Sequence, residues 1–209
     1  MFAVVRIHTG SRLARRSRPP GRLRPLTSSE QRRVNEWLAR LPYYRSMIRI
    51  LVGDGLTERR RKLHTGGPGD LHAASFLPRR QVVLDRELLT RRRELARILY
   101  HEIFHFVWAR LGNPLRQSYE ELLREELAEG ARGELGWSAE GRKLALSRTQ
   151  VRRRSRQWLD YACESFCDFA AWFCLPGGRP HREWTLKPRF RQRRRRWFLA
   201  ADILPRLQL

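Results

Sequence analysis

Apolar residues recur at helical spacing along most of the chain and are interrupted by two short strand-like runs. The sequence TSSE at 27–30 is a capping box and predicts a helix that extends to about Leu41. Apolar runs at 47–52 and 81–84 predict short strands. Apolar spacings of three and four residues predict further helices over 90–112, 114–130, 138–147, 150–175 and 189–204. We therefore expect an α+β fold that is mostly helical with a small β-sheet.

Composition along the chain predicts one compact domain with two basic extensions. With 209 residues, of which 41% are hydrophobic, the chain can bury one substantial core. Residues 1–26 are rich in Arg and Pro, which predicts a partly flexible N-terminal arm with a strand over 2–7. The compact domain is predicted over 27–178. Residues 179–209 predict a basic helical extension that docks on it, the alternative being a tail that binds phosphate or a partner.

The sequence HEIFH at 101–105 lies within the predicted helix over 90–112. A helix places His101 and His105 on one face, one turn apart, which is typical of two zinc ligands. Glu102 follows the first ligand directly, so it can take a proton from a zinc-bound water that then attacks a carbonyl. A chance match is the alternative. The apolar surroundings disfavour it, because a buried carboxylate without a partner would be costly.

A zinc site with two histidines needs a further protein ligand, and an acidic pair in the predicted helix over 150–175 offers it. Glu164 and Asp168 are four residues apart and share a helix face, with Tyr161 on the same side. Glu164 can reach the metal, while Asp168 can accept the second ring N–H of a ligating histidine. A solvated acidic edge is the alternative, but the aromatic residues that follow the pair disfavour it.

HExxH followed by ExxxD resembles the gluzincin metallopeptidases. The resemblance covers two helices and implies a zincin-like fold with Zn²⁺ held by His101, His105 and Glu164. It implies that Glu102 is the general base and that Asp168 orients a ligand. The interval between His105 and Glu164 is longer than that family's usual one and requires an inserted element.

Two further expectations follow from this resemblance. The run FAAWFCLP at 169–176 is also similar to ImmA/IrrE-type intracellular peptidases. In metallopeptidases of this shape an edge strand near the metal pairs with the substrate backbone, which implies that Val82–Leu84 binds peptide. Such enzymes usually carry a donor for the transition-state oxyanion, and Tyr161 and His181 are the candidates for that role or for substrate contact.

Charge supports a second class of function. The chain has 44 basic and 21 acidic residues, a formal net charge of +23, which predicts attraction to polyanions. Arginine-rich clusters that can contact phosphates lie at 59–62, 91–93, 152–154 and 193–196. Nearly all of this charge is arginine, so GC-rich codon usage explains it equally well. The alternative prediction is a nucleic-acid-binding protein whose zinc site is structural or catalytically silent.

Cysteine content and hydropathy bear on the compartment. Cys163, Cys167 and Cys174 are too few and too clustered for a disulfide framework, so we expect reduced thiols that act as small buried residues. His64 and His72 predict no metal site. With no membrane-spanning apolar run and no signal-peptide pattern, we expect a cytoplasmic zinc metallopeptidase that acts on peptide or protein substrates.

Overall fold

The computed structural model describes residues 23–45, 47–59, 62–67, 69–175 and 181–209. It confirms a mixed α+β architecture in which a small sheet packs against helices. The described strands are β1 (Arg24–Pro25), β2 (Arg49–Gly53), β3 (Thr57–Arg59), β4 (Lys62–His64), β5 (Ala73–Phe76) and β6 (Gln81–Asp85). The described helices are α1 (Ser28–Leu38), α2 (Arg92–Arg110), α3 (Asn113–Ala128), α4 (Trp137–Leu144), α5 (Arg148–Arg152), α6 (Arg156–Cys174) and α7 (Pro188–Ala200).

Local sequence explains where several helices begin. The predicted capping box of α1 is confirmed, because Thr27 accepts from the backbone of Glu30 and Glu30 accepts from the backbone of Thr27. The chain from 150 onward does not run straight into the helix that carries Glu164. It first forms α5, and Ser155 then caps α6 with its side chain. The strand predicted over 2–7 lies outside the described residues.

The main sheet has four strands in the order β1-β2-β6-β5. β2 and β6 are parallel, and the other neighbours are antiparallel. All five residues of β6 are buried, as expected for a strand with neighbours on both sides. The prediction that Val82–Leu84 pairs with a substrate is therefore wrong, because both edges of β6 are already occupied. Within the described part of the chain, β5 is the strand at that end of the sheet.

Helix α2 lies at the centre of the molecule. Every residue from 95 to 108 is buried, which is typical of a helix packed on all sides. Helix α6 packs along it, and α7 adds Phe190 and Phe198 to the same core. Across the described ranges, none of the helices combines the length and apolar character needed to cross a bilayer. Because residues 95 to 108 are buried, the polar groups on that part of α2 need partners inside the protein.

Candidate metal centre

Helices α2 and α6 bring together the three side chains that the sequence predicts as zinc ligands. His101 Nε2 lies 3.1 Å from His105 Nε2 and 3.3 Å from Glu164 Oε2. Around a tetrahedral zinc with bonds of about 2.0–2.1 Å, two ligand atoms are roughly 3.3–3.4 Å apart. All three ligand atoms lie within 4.8 Å of one another, and the residues are buried. The donor set and its spacing therefore fit zinc.

Asp168 orients the ring of His101 toward the other two proposed zinc ligands. Its Oδ1 lies 2.7 Å from His101 Nδ1. An ionised carboxylate can only accept, so Nδ1 carries a ring proton and Nε2, which faces Glu164 and His105, is the nitrogen left to bind a metal. Two ring nitrogens and a carboxylate oxygen that converge in this way are best satisfied by a cation.

Helix α4 holds Asp168 in place. The backbone N–H of Ala139 donates to Asp168 Oδ2 over 3.2 Å. Gly136, just before α4, lies so close that a Cβ there would be 2.4 Å from the Asp168 carboxyl atoms. A residue without a side chain is therefore needed at position 136 for α4 to approach α6.

Helix α4 also supports Glu164. Ser138 Oγ donates to Glu164 Oε2 over 2.5 Å, and an Arg142 guanidinium nitrogen lies 3.4 Å from Oε1. Burial alone would raise the pKa of Glu164, but Arg142 and the two histidines outweigh burial and hold that pKa well below its usual range. The inserted element that the long interval requires thus supplies part of the site. Sequence reasoning missed Ser138 and Arg142, because no motif marks them.

Glu102 directly follows the proposed ligand His101 in α2 and is not part of the ligand group. It is 1% exposed, and its carboxylate accepts a hydrogen bond from the hydroxyl of Ser75 on β5. The same hydroxyl lies 3.1 Å from the Glu102 backbone carbonyl. The buried carboxylate therefore has a partner other than a metal, which the sequence did not reveal. Ser75 also ties the edge strand to the helix that carries HEIFH.

The electrostatic field at the histidines favours a cation. Burial lowers the pKa of His101, but Asp168 and Glu164 outweigh it and raise that pKa well above its usual value. Burial also lowers the pKa of His105, yet Cys163 and Glu164 raise it overall. A field that stabilises a proton on these rings also stabilises a metal ion bound to them.

The cysteines of α6 lie next to the ligands, although the sequence predicted only small buried residues. Cys163 Sγ is 3.4 Å from His105 Nδ1. A hydrogen bond from Cys167, together with the nearby His105, lowers the pKa of Cys163 to about 6 although burial opposes this. All three cysteines are free of disulfides, and Cys167 is buried while Cys163 and Cys174 are partly exposed.

The two candidate oxyanion donors lie elsewhere. The hydroxyl of Tyr161 donates to Glu134 over 2.6 Å inside a buried ion network, so its predicted role in the site is wrong. His181 Nε2 lies 2.6 Å from Glu94 Oε1. Glu94, His181 and Glu183 form another group with metal-ligand chemistry, but Arg97 pairs with both carboxylates and already supplies the cation.

The arginine cluster at 193–196 also departs from its predicted role. Arg194 is fully buried and pairs with Glu126 and Glu134, so it cannot contact phosphates. Arg195 and Arg196 remain exposed. Within the cluster at 59–62, residues 60 and 61 lie outside the described residues.

Comparisons with protein families, with curated proteins and with solved structures found no match to this chain. What the site can do is therefore inferred from its own geometry and chemistry.

Proposed function

We propose that this chain is a zinc-dependent metallopeptidase with a zincin-like fold. The observation that carries the proposal is the convergence of His101 Nε2, His105 Nε2 and Glu164 Oε2 at spacings that suit zinc. Three protein ligands are the number that catalytic zinc sites use, because the remaining position takes water or substrate. Glu102, next to the first ligand, has the position of a general base.

Each residue of the proposed site has its own role. Zinc, when bound, lowers the pKa of water toward neutrality and polarises a carbonyl. Glu102 accepts the proton of the attacking water and returns it to the leaving amine. Ser75 restrains the Glu102 carboxylate by hydrogen bonding, and Asp168 keeps His101 in the ligating tautomer. Ser138 and Arg142 orient Glu164 from α4.

Strand β5 is the proposed site of peptide binding. Among the described strands it pairs only with β6, and its Ser75 contacts Glu102. An extended peptide that added to β5 on the side away from β6 would lie beside the general base, held by main-chain hydrogen bonds. This assigns to β5 the role that the sequence had predicted for Val82–Leu84.

The substitution Glu102→Gln tests the chemistry. The side chain keeps its size but loses the proton acceptor, so we expect zinc binding to persist and cleavage to fall at least about 100-fold. The probe is a mixture of peptides from a digested proteome, with new termini identified by mass spectrometry. Glu125→Gln, at an exposed position on α3, is the matched control and should cleave like the wild type. A zinc-loaded wild type without cleavage, or full cleavage by Glu102→Gln, would contradict the proposal.

Charge favours nucleic-acid binding as a second candidate function. The 21 acidic residues can neutralise at most as many of the 44 basic ones in pairs. The arginines at 91–93 and 152–154 are exposed, although Arg91, Arg92 and Arg154 already pair with carboxylates. Phosphate contacts would make affinity for double-stranded DNA or RNA fall steeply as salt rises. An affinity that did not change with salt would exclude this candidate.

A further inference from the structure

His105 has two ring nitrogens, and only one faces the proposed zinc ligands. Its Nε2 points toward His101, whereas its Nδ1 lies 3.4 Å from Cys163 Sγ. Cys163 and Cys167 are four residues apart on α6 and therefore share a face of that helix. One ligand atom from each of His105, Cys163 and Cys167 lies within 4.8 Å of the other two.

We propose that His105, Cys163 and Cys167 form a second metal site, selective for thiophilic cations. With metal–sulfur bonds of about 2.3 Å and metal–nitrogen bonds of about 2.0–2.1 Å, a tetrahedral ion separates nitrogen and sulfur by roughly 3.5 Å. The observed 3.4 Å between His105 Nδ1 and Cys163 Sγ matches that value. Two sulfur donors and one imidazole select soft or borderline ions such as Cu⁺, Cd²⁺ and Zn²⁺.

The spacing of the two cysteines explains why the sequence did not predict this site. Zinc-binding cysteines are usually recognised as a short CxxC pair in a loop. Here the pair has helical spacing, and its third partner comes from α2. Only the packing of α6 on α2 brings the three side chains together.

The second site has a defined proton balance. Cys163 is partly exposed and Cys167 is buried, so the Cys163 side of the site is the one nearer to solvent. Each thiol that binds the ion as a thiolate releases its proton to solvent. The site uses neither His101, Glu102 nor Glu164, and it does not depend on the proposed peptidase activity. It shares one residue, His105, with the proposed zinc centre. In the metal-free chain His105 binds the second ion through Nδ1 with its ring proton on Nε2, and simultaneous occupancy of both sites requires the ring to release that proton to solvent as well.

Titration of the metal-free full-length chain with Cd²⁺ tests the proposal. Cadmium bound to thiolate gives an ultraviolet charge-transfer absorption that nitrogen and oxygen ligands do not produce. We expect the wild type to develop this absorption to saturation. Cys163→Ser and Cys167→Ser should each lose most of it, while Cys174→Ser, a change on the same helix outside the ligand set, should keep it.

Two further measurements keep the outcome decisive. Glu164→Gln should retain the cadmium absorption even though it weakens the zinc centre, so failure of the peptidase proposal and failure of this one are distinguishable. In the unmodified chain, Cd²⁺ should slow alkylation of Cys163 at least about tenfold without slowing that of Cys174. The alkylation measurement uses the unmodified chain, so it does not depend on whether a substituted chain folds. Absence of thiolate absorption in the wild type, or equal absorption in Cys163→Ser and Cys174→Ser, would overturn the second site.

Discussion

At the scale of single residues, the site depends on how each acceptor is paired. Asp168 removes the choice of tautomer at His101 by accepting from Nδ1. Ser75 donates a hydrogen bond to Glu102 and so gives this buried carboxylate a partner within the protein. Each of these partners lies on an element other than α2, so the chemistry of HEIFH is set by contacts distant in sequence.

Asp168→Asn tests the orienting role directly. The amide keeps an acceptor oxygen but loses the charge that stabilises the ring N–H, so zinc affinity should fall about 10- to 100-fold. Competition with a coloured chelator measures the affinity. Asp160→Asn is the matched control, because that carboxylate lies on the same helix with about half of its side chain exposed, paired with Arg156. Equal affinities for the two variants would show that Asp168 does not orient a ligand.

At this scale the sequence predicted which site residues share a helix face, because that follows from their spacing. His101, Glu102 and His105 are neighbours on α2, and Glu164 and Asp168 are neighbours on α6, so each group could be placed before any fold was known. Ser75 and Ser138 belong to different elements and have no motif, so only tertiary structure reveals them. Tyr161 shares the helix spacing but bonds Glu134, because spacing alone does not say which neighbour a side chain contacts.

At the scale of elements, contacts from α4 hold the proposed metal ligand Glu164 and its neighbour Asp168 in position. It contacts Glu164 through Ser138 and Arg142, and Asp168 through the backbone of Ala139. This short helix lies within the long interval between the two halves of the ligand set. The interval thus contributes residues that position the metal ligands.

Two glycines near this helix provide a matched pair of substitutions. Gly136→Ala would place a Cβ 2.4 Å from the Asp168 carboxyl, so α4 or Asp168 must shift and zinc affinity should fall at least about tenfold. At Gly141, inside α4, a Cβ meets nothing within 4 Å. Gly141→Ala should therefore leave zinc affinity unchanged and stabilise the helix by up to about 1 kcal/mol. Chelator competition and thermal unfolding separate the two effects, and unchanged zinc affinity in Gly136→Ala would contradict this role of α4.

Element types were more predictable than element pairing. The helices that carry HEIFH and Glu164 follow from apolar periodicity and caps. The order of strands does not, because pairing is set by long-range contacts that one sequence does not show. The segment 81–84 was correctly predicted as a strand. It lies between β2 and β5, however, so the prediction that it is an edge strand that binds substrate is wrong.

At the scale of the whole molecule, a buried ion network joins the C-terminal helix to the rest of the fold. Arg194 on α7 pairs with Glu126 on α3 and with Glu134. Glu134 also pairs with Lys143 on α4 and accepts from Tyr161 on α6. The run of arginines at 193–196 predicted phosphate contacts, because a sequence of like charges does not show which side chain is buried in the fold.

Arg194→Met should destabilise the fold strongly. Removing the cation leaves two buried carboxylates without their main partner, and such losses cost about 3–5 kcal/mol of unfolding free energy. Arg196→Met, at an exposed position on the same helix, should change stability by less than about 0.5 kcal/mol. Urea unfolding followed by circular dichroism measures both. A stability of Arg194→Met close to that of Arg196→Met would mean that the network does not hold α7 to the core.

The measurement that tests the central claim most directly is zinc affinity in a chain whose thiol site has been removed. In the Cys163→Ser, Cys167→Ser background, His101, His105 and Glu164 remain as a zinc-ligand group, while Glu94, His181 and Glu183, the other such group among the described residues, keep Arg97 as their cation. We predict about one zinc per chain there, retained when Glu102→Gln is added and weakened at least about 100-fold when Glu164→Ala is added. No zinc in this background, or equal affinity with and without Glu164, would contradict the metal centre from which the proposed peptidase activity follows.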